Sequence, residues 1–268
     1  MRITIQIVNY NSRRLVRKCL KLIKESPRET SSLEVIVINN DQERLDGFFQ
    51  SISPLFSIKV VEINKNIGFG RAHNRGAREA TGEYIFFLNP DTLVPVNFFK
   101  RITGFIKSGK NISIVGAKLV DSDGIAREEY CGSTKTPFSM IGRKLRRKNI
   151  KGGESVFCEV DWVSGGAMLI KKELFERLGG FDEKYFMYFE DVDLCLRAKN
   201  MGCKIAVDTG LEIIHQGGKS FDDKQSKKRY YYKSQDYYLR KNFGLKGALL
   251  FKILRTPLYI KNIYFNKG

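Results

Sequence analysis

The amino-acid sequence predicts an α/β protein, with a mixed, mainly parallel sheet flanked by helices and a basic helical extension after it. Two observations carry this. Apolar, β-rich runs of strand length recur around a helix-period segment from Ile3 through Leu88, the rhythm of a parallel sheet. Three of those runs also end in Asn or Asp, which sets polar side chains along one edge of a hydrophobic sheet, where open α/β folds bind ligands.

The first run is Ile3 to Asn9, and Asn11 or Ser12 can cap a following helix with Leu15, Cys19, Leu22 and Ile23 on roughly one face. Val35 to Ile38 is a second buried strand, ending in Asn39-Asn40-Asp41. Ile58 to Ile63 is a shorter third, closing on Asn64-Lys65-Asn66. Tyr84 to Leu88 is too short for a lone helix and rich in aromatics, as a buried central strand should be. Pro90 cannot continue a central ladder, so the chain turns at Asn89-Pro90-Asp91. A helix is expected over Asn97 to Lys107, a strand over Ile112 to Ala117, and a turn at Asp121 to Gly124. A returning hairpin strand is expected over Ile125 to Cys131. Residues 132–153 look irregular and hold the charge run Arg143 to Lys148, a solvated loop or a phosphate contact. Lys204 to Val207 and Leu211 to Ile214 are strand-like.

A chain of 268 residues, 42% hydrophobic and 28% charged, excludes a disordered protein and suffices for one substantial core. The net charge of +18 favours an anionic partner: nucleic acid, a phosphorylated substrate or a membrane surface. Five cysteines, without a Cys-x-x-Cys pair, argue against a disulfide framework or zinc site and suit a reducing cytosol. No 18 consecutive residues are apolar, so no transmembrane helix is expected.

Candidate chemistry gathers at a few places. Asp91, presented at the carboxyl end of a buried strand, is a natural ligand for a divalent cation accompanying a phosphate-bearing substrate; Asn-Pro-Asp is equally a good turn. In Asn66 to Gly76, Gly68 and Gly70 let backbone approach a ligand, and the helix that opens there favours anions at its amides. The spacing matches neither Gly-x-Gly-x-x-Gly nor a Walker sequence, and His73 reads as a packing or hydrogen-bonding residue rather than a metal ligand. Trp162, the single tryptophan, stands near the diglycine Gly165-Gly166, a sign of tight packing against backbone or substrate. Glu190, Asp191 and Asp193 crowd a predicted helix start, where the dipole favours acids. Asp193 and Arg197, at i and i+4, are expected to pair; Asp191 lies about 200° round the helix from Asp193 and is free for another task. His215 leaves a strand into a diglycine loop, where it is exposed enough to bind something, although such a histidine is more often structural.

Five ordered blocks resemble family 2 glycosyltransferases of the GT-A fold, in the rhamnosyltransferase-like branch. They are Ile7 to Asn11, Val37 to Asn40, Asn66 to Gly76, Leu88 to Asp91, and Gly180 to Glu183 through Glu190 to Arg197. The resemblance runs from Ile3 to Ser220 and implies a Rossmann-like GT-A catalytic domain over 1–220, with 221–268 as the helical extension. It implies an inverting, divalent-metal-dependent hexosyltransferase that takes a sugar, first L-rhamnose, from a nucleotide-diphosphate donor. The acceptor is a saccharide or a lipid diphosphate, and the setting is cell-surface polysaccharide synthesis. In that likeness Asp91 and His215 hold Mg²⁺ or Mn²⁺, and Asp191 is the general base. The donor falls to Asn9, Asn11, Asn39, Asn40, Gly68, Arg71, Asn74 and Asn89, and the acceptor to Trp162, Gly165, Gly166 and Glu190. The family's second strand usually ends Asp-Asn, contacting the nucleotide base. Here it reads Asn39-Asn40, and an amide donates as well as accepts.

Between Lys219 and Gly268, 13 Lys or Arg stand against 3 Asp, with tyrosines and phenylalanines interleaved. If Leu245 to Tyr264 is helical, Lys252 and Arg255 lie on one side of a broad apolar arc, with Pro257 as its break. Such a segment reads either as an interfacial anchor on an anionic membrane or as a helical cap on the catalytic domain. Anchoring suits a cytoplasmic enzyme held peripherally on the inner face of the plasma membrane. Two other readings remain: a basic protein gripping single-stranded nucleic acid, for which no binding motif is present, and a transferase homologue that binds donor without transferring. A glycoside hydrolase would explain two carboxylates but neither the glycine-rich block nor the metal-like turn.

Overall fold

The computed structural model of the chain describes residues 2–26, 32–45, 47, 49, 57–127, 130–141, 157–217 and 224–260. The N-terminal part runs β1 (Arg2–Asn9), α1 (Arg13–Glu25), β2 (Ser32–Asn39), β3 (Ser57–Glu62), α2 (Phe69–Glu79), β4 (Tyr84–Leu88). It continues through β5 (Thr92–Leu93), α3 (Phe98–Lys107), β6 (Ile114–Val120), β7 (Cys131–Gly132), α4 (Pro137–Ile141), β8 (Phe157–Val160) and β9 (Trp162–Val163). Then come β10 (Ala167–Lys171), α5 (Lys172–Arg177), α6 (Glu190–Asn200), β11 (Ile205–His215) and α7 (Lys224–Ile260).

One nine-stranded sheet has the order β3-β2-β1-β4-β10-β6-β11-β5, with β8 added on β11. Strands β1, β2, β3, β4, β6 and β11 share one direction, while β5, β8 and β10 oppose it. Ile3, Ile5 and Ile7, Val35 to Ile38 and Ile85 to Leu88 are all buried, because a sheet covered on both faces takes continuous apolar runs. The parallel strands β1, β2 and β4 end at Asn9, Asn39 and Leu88, so Asn9, Asn39 and Asn89 come out on the same edge.

Three local expectations need correction. Lys204 to Val207 and Leu211 to Ile214 form one strand, β11, whose register with β6 shifts between Asp208 and Glu212. Buried Asp208 at that irregularity pairs with Arg101 and accepts the Gly210 N–H at 2.9 Å, so side-chain chemistry stabilises the break without ending the strand. Of the hairpin strand expected over Ile125 to Cys131, Ala126 bridges back to Val120, residues 128–129 lie outside the described residues, and Cys131 pairs with Val163 in a separate β7-β9 ribbon. Ser12 is the N-cap of α1, but its hydroxyl donates to Asn9 Oδ1 at 3.2 Å and caps no helix amide. The charge run Arg143 to Lys148 lies outside the described residues.

The C-terminal segment is helical over Lys224–Ile260, within the expected helical extension, but its break lies elsewhere than at Pro257. Within α7 the helical path is interrupted at Gly244 (φ 77°, ψ 171°), whereas Pro257 sits inside the helix. A positive φ there suits glycine, which has no Cβ to clash. The half after Gly244 folds back along the half before it: Tyr259 packs edge-on against Tyr232, centroids 4.9 Å apart, and Arg255 pairs with Asp236 at 2.9 Å. Arg255 is therefore buried against Gln235, Asp236 and the Tyr232 ring and does not flank the apolar arc. The half before Gly244 packs on α6 and the residues just before it, through Lys241 on Asp193 and Tyr238 on Phe189, with Tyr238 and Leu239 fully buried. Among the described residues no helix is long and apolar enough to cross a membrane.

Candidate active site

A cavity of about 310 Å³ opens at the edge where the parallel strands end. Asp91, three residues beyond β4, faces it, and His215 reaches it from the far end of the chain because the last residues of β11 pair antiparallel with the two-residue β5. His215 stands opposite Thr92, and the Gln216 N–H donates to the Asp91 carbonyl at 2.9 Å. The His215 Nε2 thereby lies 3.2 Å from Asp91 Oδ1 and 3.2 Å from the Asn89 amide. Burial raises the Asp91 carboxyl, but the His215 hydrogen bond and charge outweigh it and hold the group below its usual value.

The second carboxylate arrives by a strained route. Tyr188 and Phe189, just before α6, both adopt left-handed backbone (φ 71° and 67°), uncommon for single bulky residues and more so for two in succession. That turn points Asp191 into the cavity, where Oδ2 accepts the Gly165 N–H at 2.9 Å and Oδ1 accepts the Val192 N–H at 2.8 Å. Burial raises the Asp191 carboxyl, offset in part by the Gly165 amide and the charge of Lys135. Glu190 is 5% exposed, its Oε2 has no hydrogen-bond partner, and burial plus the Asp191 charge raise it well above a normal glutamate. Burial thus lifts both carboxyls of the pair, and the charge of Asp191 adds to the lift on Glu190.

The first half of α7 stabilises the strained turn. The Ser234 hydroxyl donates to the Met187 carbonyl at 2.7 Å, Tyr230 stacks on Phe186 at 4.5 Å, and Tyr231 and Tyr238 pack on Phe189. From below, Asp193 is anchored by Arg197 Nε at 2.8 Å, as the i,i+4 spacing predicts, and additionally by Lys241 of α7. On the opposite wall, Gly68 (φ 90°) has no room for a side chain: a Cβ would lie 2.3 Å from the Phe186 carbonyl. The same carbonyl accepts the Phe69 N–H at 2.9 Å, so the glycine-rich turn and the turn before α6 are locked together.

Of the sequence-derived candidates, Asn40, Gly68, Asn89, Asp91, Trp162, Gly165, Gly166, Glu190, Asp191 and His215 line the cavity. Asn9, Asn11, Asn39, Arg71 and Asn74 do not. Asn9 and Asn39 are fully buried beneath it: Asn39 accepts from Asn9 at 2.8 Å and donates to Glu62 at 2.6 Å and to the Glu43 carbonyl at 2.8 Å. Asn11 holds Asp41 through its backbone amide, Arg71 donates to the Glu183 carbonyl at 2.7 Å, and Asn74 ties down Phe181 through two bonds. His73 is the packing residue its setting predicts, sandwiched edge-on by Phe69 and Phe87 and pushed down to about 3 by burial. The cavity also takes Lys135, Phe186 to Phe189, Lys227 and Tyr231, which no sequence motif marks. Lys135 Nζ sits 4.4 Å from the Trp162 ring and 4.9 Å from that of Phe189, a placement set by tertiary packing alone.

Among the described residues no three His, Cys, Asp or Glu side chains gather to hold a metal on their own. Asp91 and His215 are two convergent donors, and His215 Nδ1 is buried without a partner. A carboxylate plus an imidazole fits a cation that takes its remaining ligands from diphosphate oxygens and water, and the imidazole suits Mn²⁺ better than Mg²⁺.

A mixed, mostly parallel sheet flanked by helices, with its cavity at the strand ends, is the GT-A architecture of glycosyltransferases. It superposes on a Pyrobaculum calidifontis mannosyltransferase in complex with GDP-Man and Mn²⁺ with a TM-score of 0.62 at 19% identity, over 98% of this chain and 69% of that one. It also superposes on Staphylococcus aureus TarS 1–349 with a TM-score of 0.60 at 17% identity, over 98% and 79%. The model of glycosyl transferase family 2 matches residues 4–179, and the chain belongs to that family. A second model, the N-terminal domain of galactosyltransferase, matches residues 156–215. An N-acetylglucosaminyl-diphospho-decaprenol L-rhamnosyltransferase of Mycobacterium tuberculosis is 37% identical over 68% of this chain and 66% of its own length. The dTDP-rhamnosyl transferase RfbF of Shigella flexneri is 26% identical over 79% and 68%, and the Haloferax volcanii hexosyltransferase Agl10 is 25% identical over 80% and 66%. The chain thus spans about two thirds of the length of these curated relatives, and it is rhamnosyltransferase-like.

Proposed function

We propose that this chain is an inverting glycosyltransferase. It moves a sugar, first L-rhamnose, from a nucleotide-diphosphate donor to a hydroxyl of a saccharide or lipid-diphosphate acceptor in cell-surface polysaccharide synthesis. The observation that carries the reading is the convergence of residues 91, 191 and 215 on one cavity, with Asp91 and His215 in contact with each other and Asp191 held on the Gly165 amide. The rhamnosyltransferase relatives, one of them printed with a dTDP donor and one with a diphospho-decaprenol acceptor, support the choice of sugar and acceptor class.

The donor's diphosphate lies against Asp91 and His215, its base toward Asn40, Asn66 and Gly68. There Asn40 holds the turn by donating to Asn66 at 2.9 Å and accepting the Ile67 N–H at 2.9 Å. A divalent cation bound at Asp91 and His215 would neutralise the charge that grows on the leaving diphosphate. Asp191, fixed by the Gly165 and Val192 amides, takes the proton of the acceptor hydroxyl as that oxygen bonds to the anomeric carbon. The bond from the anomeric carbon to the diphosphate breaks with its electron pair leaving on the phosphate oxygen, and attack from the opposite face inverts the centre. Of the two neighbouring carboxyls, Asp191 is the one fixed by two backbone amides, which stabilise its charged form and hold it in place for that proton. Trp162 and the Gly165-Gly166 backbone form the acceptor wall; an added Cβ at Gly166 would come within 2.9 Å of the Asn89 amide.

The test is a panel of nucleotide sugars followed by thermal shift with and without Mn²⁺ or Mg²⁺, then a transfer assay with the stabilising donor. A cation-dependent shift with a dTDP-sugar is expected. No shift with any nucleotide sugar in either condition rejects the proposal.

A further inference from the structure

Six of the ten exposed large hydrophobic residues among the described residues lie on α7 after its break: Leu245, Leu249, Leu250, Ile253, Leu254 and Ile260. They are 43–71% exposed, and at 100° per residue they spread over about half the helix circumference, while Phe251 and Arg255 face inward. Lys246 stands within that arc and Lys252 at its edge, both exposed, and residues 245–260 contain no acidic side chain. An apolar helical face studded with lysines is matched chemically by acyl chains beneath anionic headgroups. A second copy of the chain matches it poorly, since two such faces bring like charges together in a molecule of net charge +18.

We propose that the half of α7 after Gly244 lies in the surface of an anionic lipid bilayer, with its Leu245–Leu249–Ile253 side buried among acyl chains. The half before Gly244 is the cap and the half after it the anchor, so the two roles read from the sequence belong to different parts of one hairpin. The hairpin also sets distance. Because the second half folds back, Tyr259 packs on Tyr232, whose neighbour Tyr231 lines the cavity with Lys227. The lipid-facing half therefore packs on the half that carries Tyr231 and Lys227 of the cavity lining, which brings the cavity close to the bilayer surface where a lipid-linked acceptor resides. That last consequence rests on the transfer reaction proposed above; the docking does not.

The experiment compares the full-length chain with the double variant Leu249→Glu/Ile253→Glu, two exposed positions outside the cavity and the cap. Flotation with phosphatidylcholine vesicles and with vesicles of phosphatidylcholine and phosphatidylglycerol is read beside light scattering without lipid. Thermal shift with a nucleotide sugar serves as the control for folding and donor binding. The expected result is binding to the anionic vesicles, at least ~10-fold weaker for the double variant and weakened by salt, with an unchanged donor shift. Equal vesicle binding by both proteins, or none by the wild type, overturns the proposal. A wild-type dimer that the double variant converts to a monomer also overturns it, by assigning the face to a second copy. A donor shift that is absent while vesicle binding holds removes the transfer reading and leaves the lipid surface standing.

Discussion

Two parts of the cavity lining differ in their neighbours: Asp91 faces an imidazole 3.2 Å away, whereas Asp191 accepts from two backbone amides beside the buried Glu190. The surroundings push the two parts in opposite directions: His215 holds Asp91 down, while burial lifts Asp191 and Glu190. A carboxylate that must stay charged beside a diphosphate-bound cation needs the first environment. One that must accept a proton from an alcohol needs the second, because a raised pKa strengthens the base. Residue type is the same in both parts; the neighbours divide the labour.

Substitutions that remove one part at a time test this division. Asp191→Asn is expected to lower kcat by about 10²–10⁴-fold while leaving the donor's affinity unchanged, measured by transfer assay and calorimetric titration. Asp91→Asn should instead abolish the cation's effect on donor binding; a variant that keeps that effect unhooks Asp91 from the diphosphate.

A smaller test strikes the support of the base and leaves the base itself intact. Tyr238→Ala removes a fully buried ring packed on Phe189 and should cost about 3–5 kcal/mol in denaturant unfolding. Activity should fall further than the unfolded fraction accounts for, because the left-handed pair Tyr188-Phe189 loses its brace.

The pH dependence separates the two parts without any mutation. Asp191 has its folded-state pKa raised, so kcat should fall, as pH drops, at a higher pH than the ordinary aspartate value of about 3.9. Glu190 gives the complementary sign in stability. With its folded pKa above the unfolded one, its contribution is full below the unfolded pKa and is lost as pH rises through the folded value. Glu190→Gln should therefore flatten the alkaline side of the stability profile in urea unfolding; an unchanged profile would place the ionisation elsewhere.

The smallest expected effect lies under the cavity. Asn39→Asp sets a carboxylate against Glu62, where the amide now donates at 2.6 Å, and should destabilise by about 1–3 kcal/mol. This accounts for the amide at a position where the resemblance has an acid: with Glu62 already on the neighbouring strand, an amide completes the network and a second carboxylate would repel.

Strand pattern and polar strand ends were legible in the chain because they are local. Tyr84 to Leu88 is apolar at every position, Pro90 forbids continuation, and the i,i+4 spacing of Asp193 and Arg197 brings those two together on any helix. The same locality misled at Asn9 and Asn39. Both sit at a strand end as a ligand-binding residue would, yet their side chains turn to each other and to Glu62 beneath the floor. Position along a strand says which edge a residue reaches, but not whether a neighbouring strand has already engaged its side chain.

Sequence alone determined the α/β architecture, the edge that carries the site, and the basic apolar character of the last helix, since each follows from the order and period of neighbouring residues. Tertiary structure decided which of the polar residues face the cavity, which way each carboxyl is shifted, and where the last helix folds back on itself. Those outcomes depend on groups far apart in the chain: His215 against Asp91, Lys135 beside Asp191, and Arg255 drawn inward to Asp236. Burial and charge act through space, and their effect on a side chain is fixed only once its distant neighbours are in place.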